Sequence, residues 1–306
     1  MTPTGQAQWP APTATTCASY TVSFINRYCV YDLLLTSFGL GIITAMDVLD
    51  LSRLSPEAAL VAEAATKVYI SHTRPWFIGL LLHGLALRGG IVPGSSDIDF
   101  RLYLNDSAFT NDGLLPVELP IAIHRDLARI DTAPFSYIQC YAFPSGSVKG
   151  HEDWVGPIPG AYHMISGRLP VPEATPEQLL DSARKSLANL ATEPAHLANG
   201  LLDHGGGRLQ RHVRLLCTEV WPVLFQVLSL REGDPIRVWN KNKIEAMSLL
   251  PSDSTLGGTI REFYNALLAF YPTEQSVEDG LAVIEFGVAF LREVKAWWEG
   301  ANLSNR

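Results

Sequence analysis

Two aspartates, Asp97 and Asp99, stand one residue apart in the stretch LHGLALRGGIVPGSSDIDFRLYL, which runs from Leu82 to Leu104. In a strand, residues i and i+2 project from the same face, so the two carboxylates are expected side by side. Such a pair is mutually repulsive unless a cation lies between its members. Mg²⁺ is the expected cation, because it takes oxygen ligands and is commonly held by one or two carboxylates together with substrate phosphates. The turn Gly94-Ser95-Ser96 just before the acids offers backbone N–H groups and hydroxyls to phosphate oxygens. Gly84, Gly89 and Gly90 allow a tight path and a close approach of backbone to a ligand. The competing reading is a hairpin with a polar turn and two solvated aspartates. The glycines, Arg88 and the serines stand in register after a buried apolar run, and that register favours a metal–nucleotide site with Asp97 and Asp99 as metal ligands and catalytic carboxylates.

The elements that must position these residues can be read from periodicity. Ser55 and Pro56 open a helix over 55–72, as N-cap and first helical residue, with Ala59, Val61, Ala62, Ala65 and Val68 at helical spacing. The run WFIGLLL reads as a buried strand and IDFRLYL as a second. Leu119, Ile123, Leu127 and Ile130 share one face of a helix that has Pro120 near its start. APFSYIQCYAF alternates as a third strand, and AYHMISGRLPV is a candidate fourth. From Thr175 the texture changes. Thr175 caps a helix with Pro176 in its first turn. A long helix follows over 209–230, with a kink expected at Pro222. Ile260, Phe263, Tyr264, Leu267 and Tyr271 lie in phase on another. The last helix places Val277, Leu281, Ile284, Val288, Leu291 and Trp298 along one stripe. The expected class is α+β: a small mixed sheet flanked by helices, then a helical bundle. Residues 1–16 read as a loose tail, 17–174 as the sheet domain with an apolar extension over 17–50, and 175–306 as the helical domain.

The chain has 306 residues, 47% of them hydrophobic, enough for a substantial core. A formal net charge of −8 disfavours general nucleic-acid binding. The four cysteines, Cys17, Cys29, Cys140 and Cys217, are scattered, which argues against both a structural zinc site and a disulfide framework. The apolar window between Asp32 and Asp47 falls short of the ~20 residues that span a bilayer. No secretory pattern opens the chain. A reduced, cytoplasmic protein without a membrane partner is expected, its oligomeric state left open.

Gly84, Arg88, Gly89, Ser96, Asp97 and Asp99 reproduce a pattern of apolar strand, glycine turn and Ser-Asp-x-Asp opening the next strand. On these residues the chain resembles the polymerase-β-like nucleotidyltransferase superfamily, in particular its small antibiotic-modifying members such as the aminoglycoside nucleotidyltransferases. The resemblance implies Mg²⁺-dependent transfer of a nucleoside monophosphate from a nucleoside triphosphate, ATP being the expected one, to a hydroxyl of a small molecule, with pyrophosphate leaving. In such enzymes metal ions bridge the attacking and leaving oxygens, held by three carboxylates. It further implies nucleotide contacts at Gly84, Leu85, Arg88, Ser95 and Ser96. Lys241 and Lys243 are candidates to meet the triphosphate as point charges.

Two positions depart from the family pattern. Leu85 stands where the family carries a serine that contacts the triphosphate. Gln139 stands near the expected position of the third acid, and an amide brings an oxygen without charge or basicity. Glu118 and Asp131 are the candidate substitutes. The acceptor wall has candidates in Trp154, Tyr162, Trp221 and Trp239, which are equally at home in a core. The two departures leave a second expectation open, a chain that keeps the fold but binds a ligand or performs another reaction in the same cleft.

Overall fold

The computed structural model describes residues 49–146, 155–271 and 275–303. The expected tail over 1–16, most of the apolar extension, Cys17, Cys29 and Trp154 lie outside the described residues.

The expected α+β architecture is present. A four-stranded mixed sheet has the order β3-β2-β1-β4, and its strands are β1 (Phe77–His83), β2 (Ile98–Leu104), β3 (Ile138–Pro144) and β4 (Tyr162–Gly167). β1 runs antiparallel to both β2 and β4, whereas β2 and β3 are parallel. Helix α1 (Pro56–Thr73) precedes the sheet, the single turn α2 (Leu85–Arg88) follows β1, and α3 (Glu118–Leu127) crosses between β2 and β3. α1 begins where Ser55 accepts from the Ala58 N–H, so its cap is the one the sequence announces.

Strand alternation sorts the sheet into two faces. Leu80, Leu82, Ile98, Phe100, Leu102 and Leu104 are buried together with Ala58, Ala62 and Ala65 of α1 and Ile123 of α3. The intervening residues face the other way. There the buried apolar set is small, with Leu81, Tyr103 and Val171 at its centre, which leaves room for Asp97, Asp99 and Arg101.

The helical half comprises α4 (Pro176–Ala188), α5 (Ala195–Gly200), α6 (Arg208–Glu232), α7 (Pro235–Trp239), α8 (Lys243–Met247), α9 (Thr255–Phe270) and α10 (Val277–Leu303). α4 opens on a full capping box between Thr175 and Gln178. α6 runs on through Pro222 as one helix. Among the described residues it is long and apolar enough to cross a membrane, yet more than half of that apolar window is buried among its neighbours, and Leu216, Val220, Leu224 and Leu228 form the centre of the bundle core.

The buried face of α10 differs from the expected stripe. Val277 and Leu281 are exposed. The contact face instead carries Gly280, Val283, Ile284, Gly287, Phe290, Leu291 and Val294. A methyl group on Gly280 would meet Leu209, and one on Gly287 would meet Leu216 and Phe263, both well inside contact distance. The glycines let α10 lie close against α6 and α9, and an apolar-only pattern does not register them.

The loop from Gly89 to Asp97 ties the halves together. Val92 is buried in the helical core rather than in the sheet's own. Asn240 donates to the Pro159 carbonyl at 2.8 Å, and Arg214 of α6 donates to the Ser136 hydroxyl at 2.9 Å.

Candidate active site

Asp99 is the second residue of β2 and Asp97 immediately precedes that strand. Their carboxyl groups meet by a side-chain hydrogen bond on the sheet face turned toward the helices. Burial, and then the charge of Asp97, push the Asp99 carboxyl up to about 7, an effect that Lys243 and Arg101 partly offset. Below about pH 7 the pair therefore tends to retain a proton when no cation is bound.

The strand register sets its neighbours. Asp99 is paired with His83 across β1 and with Gln139 across β3, so Gln139 occupies the third position of the constellation. The Tyr137 hydroxyl lies 2.7 Å from Asp97 Oδ2 and 2.8 Å from Gln139 Oε1. A phenol has one proton to give, so the Tyr137 O–H is shared between the Asp97 carboxyl oxygen and the Gln139 amide oxygen. Burial first, and then the bond to Asp97, raise the Tyr137 pKa and keep that proton in place. From the helical side, the Arg214 guanidinium covers the Tyr137 ring at 4.5 Å.

Lys243, at the start of α8, approaches the acids from the opposite wall. Its ammonium lies 4.7 Å from the centre of the Trp221 ring, and burial lowers its pKa while Cys217, Asp97 and Asp99 act to raise it. Lys241 instead offers its carbonyl oxygen to Arg88 at 3.1 Å.

Arg88 donates to the carbonyls of Gly84, Trp239 and Lys241, and its guanidinium lies 5.8 Å from the Phe225 ring; in this arrangement it joins the strand–turn unit to α6 and α7. The Ser96 hydroxyl accepts from the Val92 N–H at 2.8 Å and braces the loop. Ser95 lies against the Tyr271 phenol. Leu85 is buried. Gly84 adopts φ +85°, and a Cβ there would fall 2.9 Å from Asp99 Oδ2; glycine is needed both for the backbone conformation and for the space the carboxylate takes. Glu118 is exposed on α3, which packs on the far side of the sheet, and Asp131 accepts from the Ala133 N–H in an exposed turn. Neither joins the acids. Trp221 is buried against Phe263 and Tyr264, so it belongs to the core, while Trp239 stacks on Phe225 at 5.0 Å and, like Tyr162, lines a cavity.

Several site residues were not picked out in the sequence. Arg101 continues the alternation Asp97-Asp99-Arg101, and Tyr137 stands two residues before Gln139, so the same spacing rule reaches both. Arg214 and Cys217 come from α6 and carry no local signal. His83, neutral because burial and the nearby Arg101 and Arg88 push it down to about 3, closes the β1 side.

Among the described residues no group of three or more His, Cys, Asp or Glu side chains is arranged to hold a metal ion. Two carboxylates with an adjacent amide are nevertheless a donor set suited to a hard cation that keeps several of its ligands from water and substrate. Burial, and then the charge of Asp97, hold a proton on Asp99, and a bound cation would oppose both. No protein-family model matches the chain, and the search of curated proteins finds no match.

Proposed function

We propose that the cleft between the sheet and the helices binds a nucleoside triphosphate with Mg²⁺ and transfers a nucleoside monophosphate to a hydroxyl of a small molecule. The observation that carries this reading is the placement of Asp97 and Asp99 at the start of β2, on the open face of the sheet, with Gln139 paired to Asp99 and both acids acting on the Lys243 charge. Asp97 and Asp99 would hold the ion, with Gln139 paired to Asp99 on the adjacent strand. When bound, the ion supplies a Lewis acid to the phosphate oxygens. Two carboxylates are sufficient for one such ion; among the described residues there is no third carboxylate to hold the second ion usual in the resembled family.

The chain's own residues divide the remaining work. Lys243 places a positive charge where phosphate oxygens lie against the acids. Tyr137 fixes the Asp97 carboxylate by its hydrogen bond, and Arg214 fixes Tyr137. Gly84 leaves the space that Asp99 needs.

The test is pyrophosphate release from ATP with Mg²⁺ and a panel of hydroxyl acceptors. Release that is lost on removal of Mg²⁺ and in Asp97→Asn supports the reading; no release with any acceptor counts against transfer. A second reading has its own observation. Gln139 and Tyr137 fill the third position with an amide and a phenol, and among the described residues no third carboxylate stands beside the acids, which favours a chain that keeps the fold and binds a ligand without transferring a nucleotide.

A further inference from the structure

Beside the acid pair, on the β1–β4 side, a cavity of about 300 Å³ opens between the sheet and the helices. That size is at the lower end of small-molecule pockets, ~300–1,000 Å³. Its floor comes from the open face of the sheet, including Arg101; its roof comes from Leu179 of α4, Gln226 of α6 and Trp239 of α7; Tyr162 and Arg88 stand at its sides. Among the described residues that line it there are two guanidinium groups and no carboxylate. Arg88 directs its N–H groups to backbone carbonyls. Arg101 forms no ion pair among the described residues; its guanidinium lies 6.0 Å from the Phe143 ring. The acid nearest it in the chain, Asp99, is the one assigned above to the metal. Glu173 is held by the Tyr162 hydroxyl at 2.8 Å and does not line the cavity.

Gln226 supplies an independent observation. Its Oε1 is buried and has no hydrogen-bond partner among the described residues. A buried unpaired amide oxygen is costly, and Gln226 lines this cavity. A ligand N–H or O–H would satisfy it. Trp239, held rigid by its stack on Phe225, gives a flat apolar wall suited to the carbon face of a ring.

We infer that this cavity receives the acceptor of the proposed transfer, and that the acceptor is a hydroxylated anion of about monosaccharide size carrying a phosphate or carboxylate, not a polyamine. Arg101 meets the anionic group, Gln226 accepts from a ligand hydroxyl, and Trp239 covers the ring. A polycationic acceptor, as in the aminoglycoside-modifying members of the resembled family, would set ammonium groups against two guanidiniums with no carboxylate among the described lining residues to meet them. The inference rests on the nucleotidyltransferase reading for the word acceptor alone; the anion preference of the cavity stands apart from it.

The experiment is calorimetric titration of the full chain, in chelator and without nucleotide, with glucose 6-phosphate, glucuronate, glucose and glucosamine. These four share a ring and differ in charge. One of the two anions is expected to bind at least about tenfold more tightly than glucose, with glucosamine weakest, since a hydrogen bond to a charged group is worth roughly 1.5–3 kcal/mol. Which anion binds better distinguishes a phosphate site from a carboxylate site. Arg101→Gln should abolish the preference for the anion over glucose. Gln226→Leu should raise Tm and weaken ligand binding together, whereas a purely structural role would raise Tm alone. Preference for glucosamine, equal binding of all four, or binding of none would overturn the proposal. Displacement of the sugar anion by Mg-ATP would make the cavity the triphosphate site and overturn the acceptor assignment. Failure of the parent to bind Mg-ATP, with anion selectivity intact, would sink the nucleotidyltransferase reading and leave the cavity's preference standing.

Discussion

The proton shared across Asp97 and Asp99 gives the residue scale its clearest test. Burial and the charge of Asp97 push the folded Asp99 carboxyl up to about 7, against 3.8 for a free aspartate. Between those values the folded state holds a proton that the unfolded chain has released. The group's contribution to stability is therefore fully present below pH 3.8 and is lost as pH rises through about 7. Urea unfolding of the metal-free protein from pH 4 to 8 should show this decline, and Asp99→Asn should remove it. An identical pH slope in the variant would mean that Asp99 is not the group that burial and Asp97 perturb. Gly84→Ala places a methyl group against Asp99 Oδ2 in a backbone conformation that L residues rarely adopt. It should cost about 1–3 kcal/mol and lower metal affinity at the same time, by moving the carboxylate. Measuring both by denaturation and Mg²⁺ titration separates it from a loss of stability alone.

At the scale of elements, the loop between α2 and β2 has two duties, presenting the acids and docking the helical half. Val92 lies in the bundle core, and Arg88 bonds the carbonyls of Trp239 and Lys241. Arg88→Ala should destabilise the chain by about 2–3 kcal/mol, since hydrogen bonds from charged groups are worth roughly that much, and should disturb the docking of α7 and α8 more than the sheet. Hydrogen exchange would show it as lost protection around 235–247 with β1 and β2 unchanged. Much of this scale was legible in the sequence. The four strands, the long helices and the caps at Ser55 and Thr175 follow from period and capping chemistry, which act locally. The face of α10 was not legible, because its contacts are made through Gly280 and Gly287 and a hydrophobic stripe does not count glycines. Gln139's position opposite Asp99 was reachable by spacing. The roles of Ser96 and Arg88 were not: their types suit phosphate, and only tertiary contacts reveal that their hydrogen bonds go to the loop and to the helices. Lys243 was a candidate by its charge, whereas the place of Arg214 depends wholly on how α6 packs against the sheet.

At the scale of the whole molecule, the account joins a sheet that presents two acids to a helical wall that presents a lysine. The two departures from the resembled family weigh differently once the fold is in view. Leu85 is a buried side chain, so Leu85→Ser should cost on the order of 2–5 kcal/mol, as core truncations do, whatever it gains at a phosphate. Gln139 lies at the site itself, bonded to Tyr137. Gln139→Asp should add an anionic ligand beside Asp99, tighten Mg²⁺ binding and raise pyrophosphate release; unchanged metal affinity would separate position 139 from the metal. The most direct test of the central claim is calorimetric titration of Mg²⁺ with a non-hydrolysable ATP analogue into the parent and into Asp97→Asn/Asp99→Asn, with thermal unfolding of both. The account predicts Mg²⁺-dependent binding by the parent, none by the double variant, and a Tm in the variant equal to or above the parent's, because two repelling carboxyls have been neutralised. Equal affinity in the two proteins would contradict it.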